Sequence, residues 1–220
     1  MVTANQETVA VRVPNHPMAL ALLNQLDFPL VAPSANPFTR ISPTKAQHVE
    51  SYFGNQIDMV LDGGQCSAGI ESTIIGFENN KVIVYRLGAL PIEEIEAITG
   101  KVILLNKKDK KPIAPGMLLK HYAPKTEFVL TRNVQEEVAW YNGKSIGLLL
   151  FNSCLPDLVI KHQKVLSTTG NLAEAASKLY NAMRELDEMN LDVIIAQRLP
   201  EFGLGVVLND RLERAAKKEN

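Results

Sequence analysis

Two cysteines, one tryptophan and four histidines in 220 residues leave little from which to build a cross-linked or metal-bound protein. Cys66 and Cys154 lie far apart with no Cys-x-x-Cys pattern, and His16, His48, His121 and His162 lack ligand spacing, so neither a disulfide framework nor a protein-built metal site is expected. An excess of one charge is missing too. Twenty-three Lys and Arg against 24 Asp and Glu give a formal net charge of -1, which argues against a strong nonspecific nucleic-acid binder. The one basic cluster, NKKDKK at residues 106–111, is short and reads as a solvated loop. No apolar run approaches the roughly 18 residues that span a bilayer, and no basic stretch leads into an apolar core at the N-terminus. Neither anchor nor signal peptide is read, and the cytoplasm is the expected compartment. No repeat, low-complexity tract, Walker motif, GxGxxG after a strand or Ser-His-Asp set is visible. What is present is a 46% hydrophobic composition, that of an ordinary globular protein.

The hydrophobic pattern predicts strands alternating with helices. Alternating Val9, Val11 and Val13, closed by Pro14, predict a strand over 8–14, and a helix with Pro17 in its first turn follows over 15–26. FPLVAPSAN (28–36) reads as a short apolar strand emptying into a loop of small residues. Ser42 is a candidate N-cap and Pro43 a first helical residue, with Val49, Tyr52 and Phe53 on the apolar face. IDMVLDGG (57–64) and ESTIIGF (71–77) read as strands joined by a loop with Gly63, Gly64 and Gly69, and KVIVYRLG (81–88) as another. This suggests an α/β or α+β unit to about residue 105. A strand as apolar as VAVRV wants neighbours on both sides, and about 100 residues are near the small end for an independent core. Part of this unit is therefore expected on the N-terminal side.

Residues 106–126 dissolve into charges and prolines and read as an interdomain linker. Alternation resumes over 127–220, with strands at EFVLT, KSIGLLLF, KVLSTT and LDVIIAQ and a short helix at VQEEVAWY. The strongest helix, 171–189, places Leu172, Ala175, Leu179, Met183 and Leu186 on one face. Asn209 is the expected cap of a closing helix. No polar cluster in this half asks for a catalytic explanation.

Several residues in the first half could serve chemistry. Small residues in APSAN (32–36) let backbone approach a ligand, Ser34 and Asn36 offer hydroxyl and amide groups, and Ser42 stands where a helix start favours an anion. An ordinary tight turn and cap explain the same residues. Arg12 within an apolar strand either points to solvent or turns inward to grip a carboxylate or phosphate. Ser72 and Thr73 form either a hairpin turn or a hydroxyl site, and Arg86 closes a strand, where it reads as a surface cation. In APGMLLKHYAP (114–124), a histidine and a tyrosine stand side by side in what otherwise reads as a connector.

The order VRVP, APSAN, SPT, GIEST and RLG resembles the second half of the YrdC-like domain. APGMLLKHYAP and the ending GLGVVLNDRLERAA resemble the two-domain form of that family, the threonylcarbamoyl-AMP synthases. The resemblance implies a partial YrdC-like α/β domain with a twisted sheet (1–105), a linker acting as a lid (106–126), and a small Rossmann-like βα domain (127–220). It implies an enzyme that joins L-threonine, bicarbonate and ATP into L-threonylcarbamoyladenylate with release of pyrophosphate, for threonylcarbamoyladenosine in tRNA. Arg12 would grip the threonine carboxylate, with Ala32 and Ser72 lining the threonine pocket. Thr8, Ser34, Ser42 and Arg86 would contact ATP, with Asn36 beside them. Tyr122 with His121 would close on the nucleotide while Met117 and Leu118 pack against the domain. Mg2+ would arrive with ATP, and the product would pass to the tRNA threonylcarbamoyl-transfer machinery. A non-catalytic tRNA-binding module, or weak tRNA contact alongside synthesis, is the alternative that the fold offers. The carbamoyl-transferring domain of hydrogenase maturation proteins is a third, disfavoured because the zinc-finger-like modules of those proteins are not seen. The family's domain opens with a PTETxYGLG-like stretch and a Lys/Arg motif that this sequence does not contain, so residues 1–220 alone are expected to be inactive or nearly so.

Overall fold

The computed structural model describes residues 3, 7–105 and 121–217. The basic cluster at 106–111, Met117 and Leu118 lie outside the described residues. Helices α1 (Pro17–Leu23) and α2 (Ala46–Phe53) precede a three-stranded sheet. Its strands β1 (Ile74–Glu78) and β2 (Lys81–Arg86) pair antiparallel. Asn79 and Asn80 turn the hairpin at φ 48 and 58, the left-handed two-residue geometry that matches strand twist. Helix α3 (Ile92–Thr99) then returns the chain so that β3 (Ile103–Leu104) lies parallel to β2. Val82, Val84, Ile95 and Val102 close a small core there.

The second sheet is built from β4 (Glu127–Thr131), helix α4 (Val134–Trp140), β5 (Ile146–Leu150), β6 (His162–Val165), helix α5 (Leu172–Asp187), β7 (Val193–Gln197) and helix α6 (Leu204–Ala215). Its order is β4-β7-β5-β6 and each pair is parallel. A parallel sheet is covered on both faces, so its strands are continuous apolar runs, and every residue of β5 is buried. Alternate residues part to opposite sides: Leu149, Ile194 and Ala196 join the core with α5 and α6, whereas Leu148, Leu150, Val193 and Ile195 join the core with Val134 of α4. The Asn171 side chain caps α5, accepting from the amides of Ala173 and Glu174 at 2.8 and 3.0 Å. The α/β class and the Rossmann-like second sheet agree with the sequence expectation.

Other expectations fail for identifiable reasons. Residues 8–14, 28–36 and 57–64 form no strands; Val11, Val13, Val31 and Met59 are exposed. Alternation of side chains does not make a strand without a neighbour to complete its hydrogen bonds, and none lies beside these segments among the described residues. Helix α2 starts at Ala46, and Ser42 does not cap it; the Thr44 amide instead donates to Nδ1 of His48 at 3.1 Å. Helix α6 starts at Leu204 behind Gly203, so Asn209 lies inside it. The buried Asn209 side chain bonds both the amide and the carbonyl of Leu199 at 2.9 Å, closing the exit from β7.

Candidate active site

The core of the second half does not end at its own sheet. Helices α5 and α6 also bury Ile41 and Tyr122, with Ile70 packed alongside, so the two halves share one apolar cluster. Gly69 permits this approach: at φ +70, a Cβ there would stand 2.3 Å from the carbonyl oxygen of Ala176 in α5. Within this seam sits Glu71. Its carboxylate accepts from Ser42 Oγ at 2.8 Å, from Tyr180 OH at 3.1 and 3.2 Å, and from Arg211 Nε at 3.1 Å. Arg211, 1% exposed on α6, also donates Nη1 to Asp210 at 2.7 Å and Nη2 to the Leu87 carbonyl at 2.5 Å.

Glu71 connects to residues expected to serve ligands. The next residue, Ser72, is exposed, and its carbonyl accepts from Nε and Nη2 of Arg86 at 3.1 and 2.8 Å. The Ala89 amide donates to the Glu71 carbonyl at 2.8 Å, and Thr73 exchanges hydrogen bonds with Leu90. Segments 71–73 and 86–90 are thereby stitched together. Gly88 makes the stitch fit, because a Cβ there would stand 2.2 Å from the backbone of Ser72 and Thr73.

Tyr122 brings a third segment of the chain to the seam. It is 1% exposed at φ 64, a backbone region costing a bulky residue on the order of 1–3 kcal/mol. The Ala123 amide, donating to Thr39 O at 2.9 Å, helps to hold it there, and the ring stacks on Tyr180. His121 lies against it with ring centroids 4.1 Å apart, and its buried Nδ1 has no hydrogen-bond partner among the described residues.

Burial works to raise the Glu71 carboxyl, but the charge of Arg211 and the hydrogen bond from Ser42 outweigh it and hold the carboxyl below its ordinary value. Burial pushes the Tyr122 phenol up to about 12 and Tyr180 well above its ordinary value. For His121, burial and then the nearby arginines lower the pKa against the pull of Glu71, favouring the neutral ring. Burial likewise works against the charge of Arg86, with Arg12 among the smaller contributors.

The structure thus brings Ser42, Ser72, Arg86, His121 and Tyr122 together around Glu71. It leaves Thr8, Arg12, Ala32 and Ser34 on exposed segments of the first half. Asn36 is half-buried, donating to the carbonyls of Pro37 and Arg40, with its buried Oδ1 lacking a partner among the described residues. A cavity of about 370 Å3 lies elsewhere, bordered by Glu50, Asp58 and Asp62, and holds none of these residues. Sequence reading missed Glu71 and, in the second half, the buried polar group of Tyr180, Asp210 and Arg211 that reaches it. One signal was available: Arg211 follows Val207 by four positions and Leu208 by three, placing a charge on the apolar stripe of α6. In chemical terms the seam offers hydroxyls, the guanidiniums of Arg86 and Arg211 and an imidazole, groups able to bind and orient an anion.

Fold and seam together define a two-unit α/β protein, a unit with a small three-stranded sheet joined through a buried polar contact to a Rossmann-like parallel-sheet unit. A family model described as threonylcarbamoyl-AMP synthase, C-terminal domain, matches residues 90–217, and one described as telomere recombination matches residues 1–88. The threonylcarbamoyl-AMP synthase of Bacillus subtilis is 35% identical over 98% of this chain and 65% of its own length. That of Pyrococcus abyssi is 34% identical over 98% of this chain and 66% of its own. The crystal structure of P. abyssi Sua5 complexed with L-threonine superposes with a TM-score of 0.86 at 32% identity, over 97% of this chain and 65% of that one. The chain belongs to the threonylcarbamoyl-AMP synthase family. It spans about 65% of the length of these relatives.

Proposed function

We propose that the chain works in the synthesis of L-threonylcarbamoyladenylate from L-threonine, bicarbonate and ATP, with release of pyrophosphate, for the threonylcarbamoyladenosine modification of tRNA. The observation that carries this reading is the clustering of Ser42, Ser72 and Arg86 with His121 and Tyr122 about Glu71, in a chain similar over nearly its whole length to a protein solved with L-threonine. The threonine amine adds to the bicarbonate carbon and water leaves, giving the N-carboxylate. A carboxylate oxygen then bonds to the α-phosphorus of ATP, and the bond from that phosphorus to the bridging oxygen breaks with its electron pair leaving on pyrophosphate. Neither step needs a protein nucleophile, so positioning and charge neutralisation dominate.

In this reading Arg12 holds the threonine carboxylate, and Ala32 and Ser72 border the threonine side chain. Thr8, Ser34, Asn36, Ser42 and Arg86 face the nucleotide. The P. abyssi protein has been solved with a histidine and the adjacent tyrosine both replaced by alanine, and His121–Tyr122 is the one such pair in this sequence. We assign it to the nucleotide side as well. The Mg2+ of ATP enters as part of the substrate, held by phosphate oxygens and water. The cytoplasm is the compartment this reading proposes, since it supplies ATP, bicarbonate and tRNA; among the described residues no helix is long and apolar enough to cross a membrane.

Calorimetric titration with threonine and with a non-hydrolysable ATP analogue, beside an assay of pyrophosphate release, tests the proposal. Both ligands are expected to bind, and Arg12→Ala is expected to weaken threonine by at least about tenfold, the cost of a lost charge-assisted contact. Binding of neither ligand overturns the reading.

A further inference from the structure

We propose that Arg211 is a positioning residue: from the second half of the chain, through Glu71 and the Leu87 carbonyl, it fixes the two segments that carry Ser72 and Arg86. This inference rests on the function proposed for the chain, and assigns the parallel-sheet half a part in the site.

The geometry is a fork. Nε of Arg211 binds the Glu71 side chain, Nη2 binds the Leu87 carbonyl, and Nη1 is braced by Asp210. Glu71 directly precedes Ser72, and Leu87 directly follows Arg86. One planar group therefore sets the separation of the two segments, and the Arg86 bonds to the Ser72 carbonyl lock the same pair from the other side. Ser42, the third hydroxyl-bearing position, is drawn to the same carboxylate.

Stability alone gives a poor account of such a group. Burying a guanidinium and a carboxylate costs each its hydration, and a well-packed apolar pair of similar volume is often as stable or more so. What apolar side chains lack is direction. A fork with fixed donors specifies one register between the loops, and Gly88, without room for a methyl against Ser72, leaves that register no slack. Lysine presents one compact charge and cannot bridge both acceptors in the same plane.

The test compares Arg211→Lys and Glu71→Gln with the unsubstituted chain and with Leu186→Ala, a buried residue of the same helical core outside the fork. Threonine affinity is read by calorimetry, stability by thermal unfolding, and local order by amide hydrogen exchange at 71–73 and 87–90. Expected for Arg211→Lys is a loss of threonine affinity of about tenfold or more, as displaced contacts produce, with exchange accelerated chiefly in those two segments. Leu186→Ala is expected to lower the melting temperature while leaving threonine affinity within about twofold, since the sites do not share partners. Threonine affinity that tracks melting temperature across all variants, or exchange that is unchanged or accelerated uniformly in Arg211→Lys, overturns the proposal. Failure of the unsubstituted chain to bind threonine and ATP overturns the functional reading instead. The exchange pattern then decides by itself whether Arg211 fixes the two segments.

Discussion

The ring of Tyr122 stacks on the ring of Tyr180, centroids 5.4 Å apart and planes 23° from parallel, with the Arg211 guanidinium 5.2 Å from the centre of Tyr122. This contact joins the end of the linker to helix α5, beside the hydrogen bonds that Lys125 and Thr126 donate to Asp187 of the same helix. It places the aromatic ring in the shared core, so the tyrosine has a packing role whatever it does for a ligand. Tyr122→Ala is expected to cost about 3–5 kcal/mol, the range for removing a buried aromatic side chain, and Tyr122→Phe about 1 kcal/mol or less. Urea unfolding of the two variants measures this. Equal losses would show that the hydroxyl, not the ring, holds the seam.

Gly88→Ala tests the close approach of segments 71–73 and 86–90. The added methyl would meet backbone atoms of Ser72 and Thr73 at 2.2 Å, and neither can swing aside as a flexible side chain would. A destabilisation of about 1–3 kcal/mol is expected from the overpacking, together with weaker threonine binding as Ser72 is displaced. A variant with wild-type melting temperature and affinity would mean that the two segments are free to part.

Asn209→Ala should be costly although it sits in a good helix. It strips the Leu199 amide and carbonyl of their partners inside the core, and each buried group left unsatisfied costs about 1–3 kcal/mol. Were Asn209 the exposed cap that the sequence suggests, about 1 kcal/mol would be the loss. Chemical denaturation distinguishes these.

Stability is expected to fall between pH 6.5 and about 4 through His48. Burial, followed by the charges of Arg184 and Lys45, lowers its pKa from 6.5 to about 4 in the folded chain, and Nδ1 accepts the Thr44 amide hydrogen. Below 6.5 the unfolded chain takes up a proton that the folded chain refuses, so the folded state loses ground until its own pKa is reached. His48→Asn keeps an acceptor near Nδ1 and does not titrate. Melting temperatures across this window should therefore decline less steeply in the variant, and identical slopes would assign the pH dependence to other groups.

The second half was legible because its signals are local. Residues 127–131, 146–150 and 193–197 are short runs of apolar residues, the helix over 172–187 repeats its apolar positions at helical spacing, and the structure forms each where that pattern lies. The strand predicted at 164–169 was placed late, since β6 runs from His162 to Val165 and its polar residues obscure it. Helix α3 and the two-residue β3 were not anticipated. In the first half the same reasoning failed at 8–14, where Val9, Val11 and Val13 alternate as a strand would yet remain exposed. Periodicity names a face, while a strand also needs a partner along its edge.

The sequence by itself determined the α/β class, the succession of strands and helices along most of the second half and the hydroxyl and arginine positions worth testing, because propensity and apolar spacing act over a few residues. Only the tertiary structure decided that Glu71 and Arg211, 140 positions apart, face one another, and that Ser42 turns to Glu71 rather than to the start of a helix. A charge can be buried only where another part of the chain supplies its partner and its hydrogen bonds. That partner is set by how the two halves pack, which no local pattern encodes.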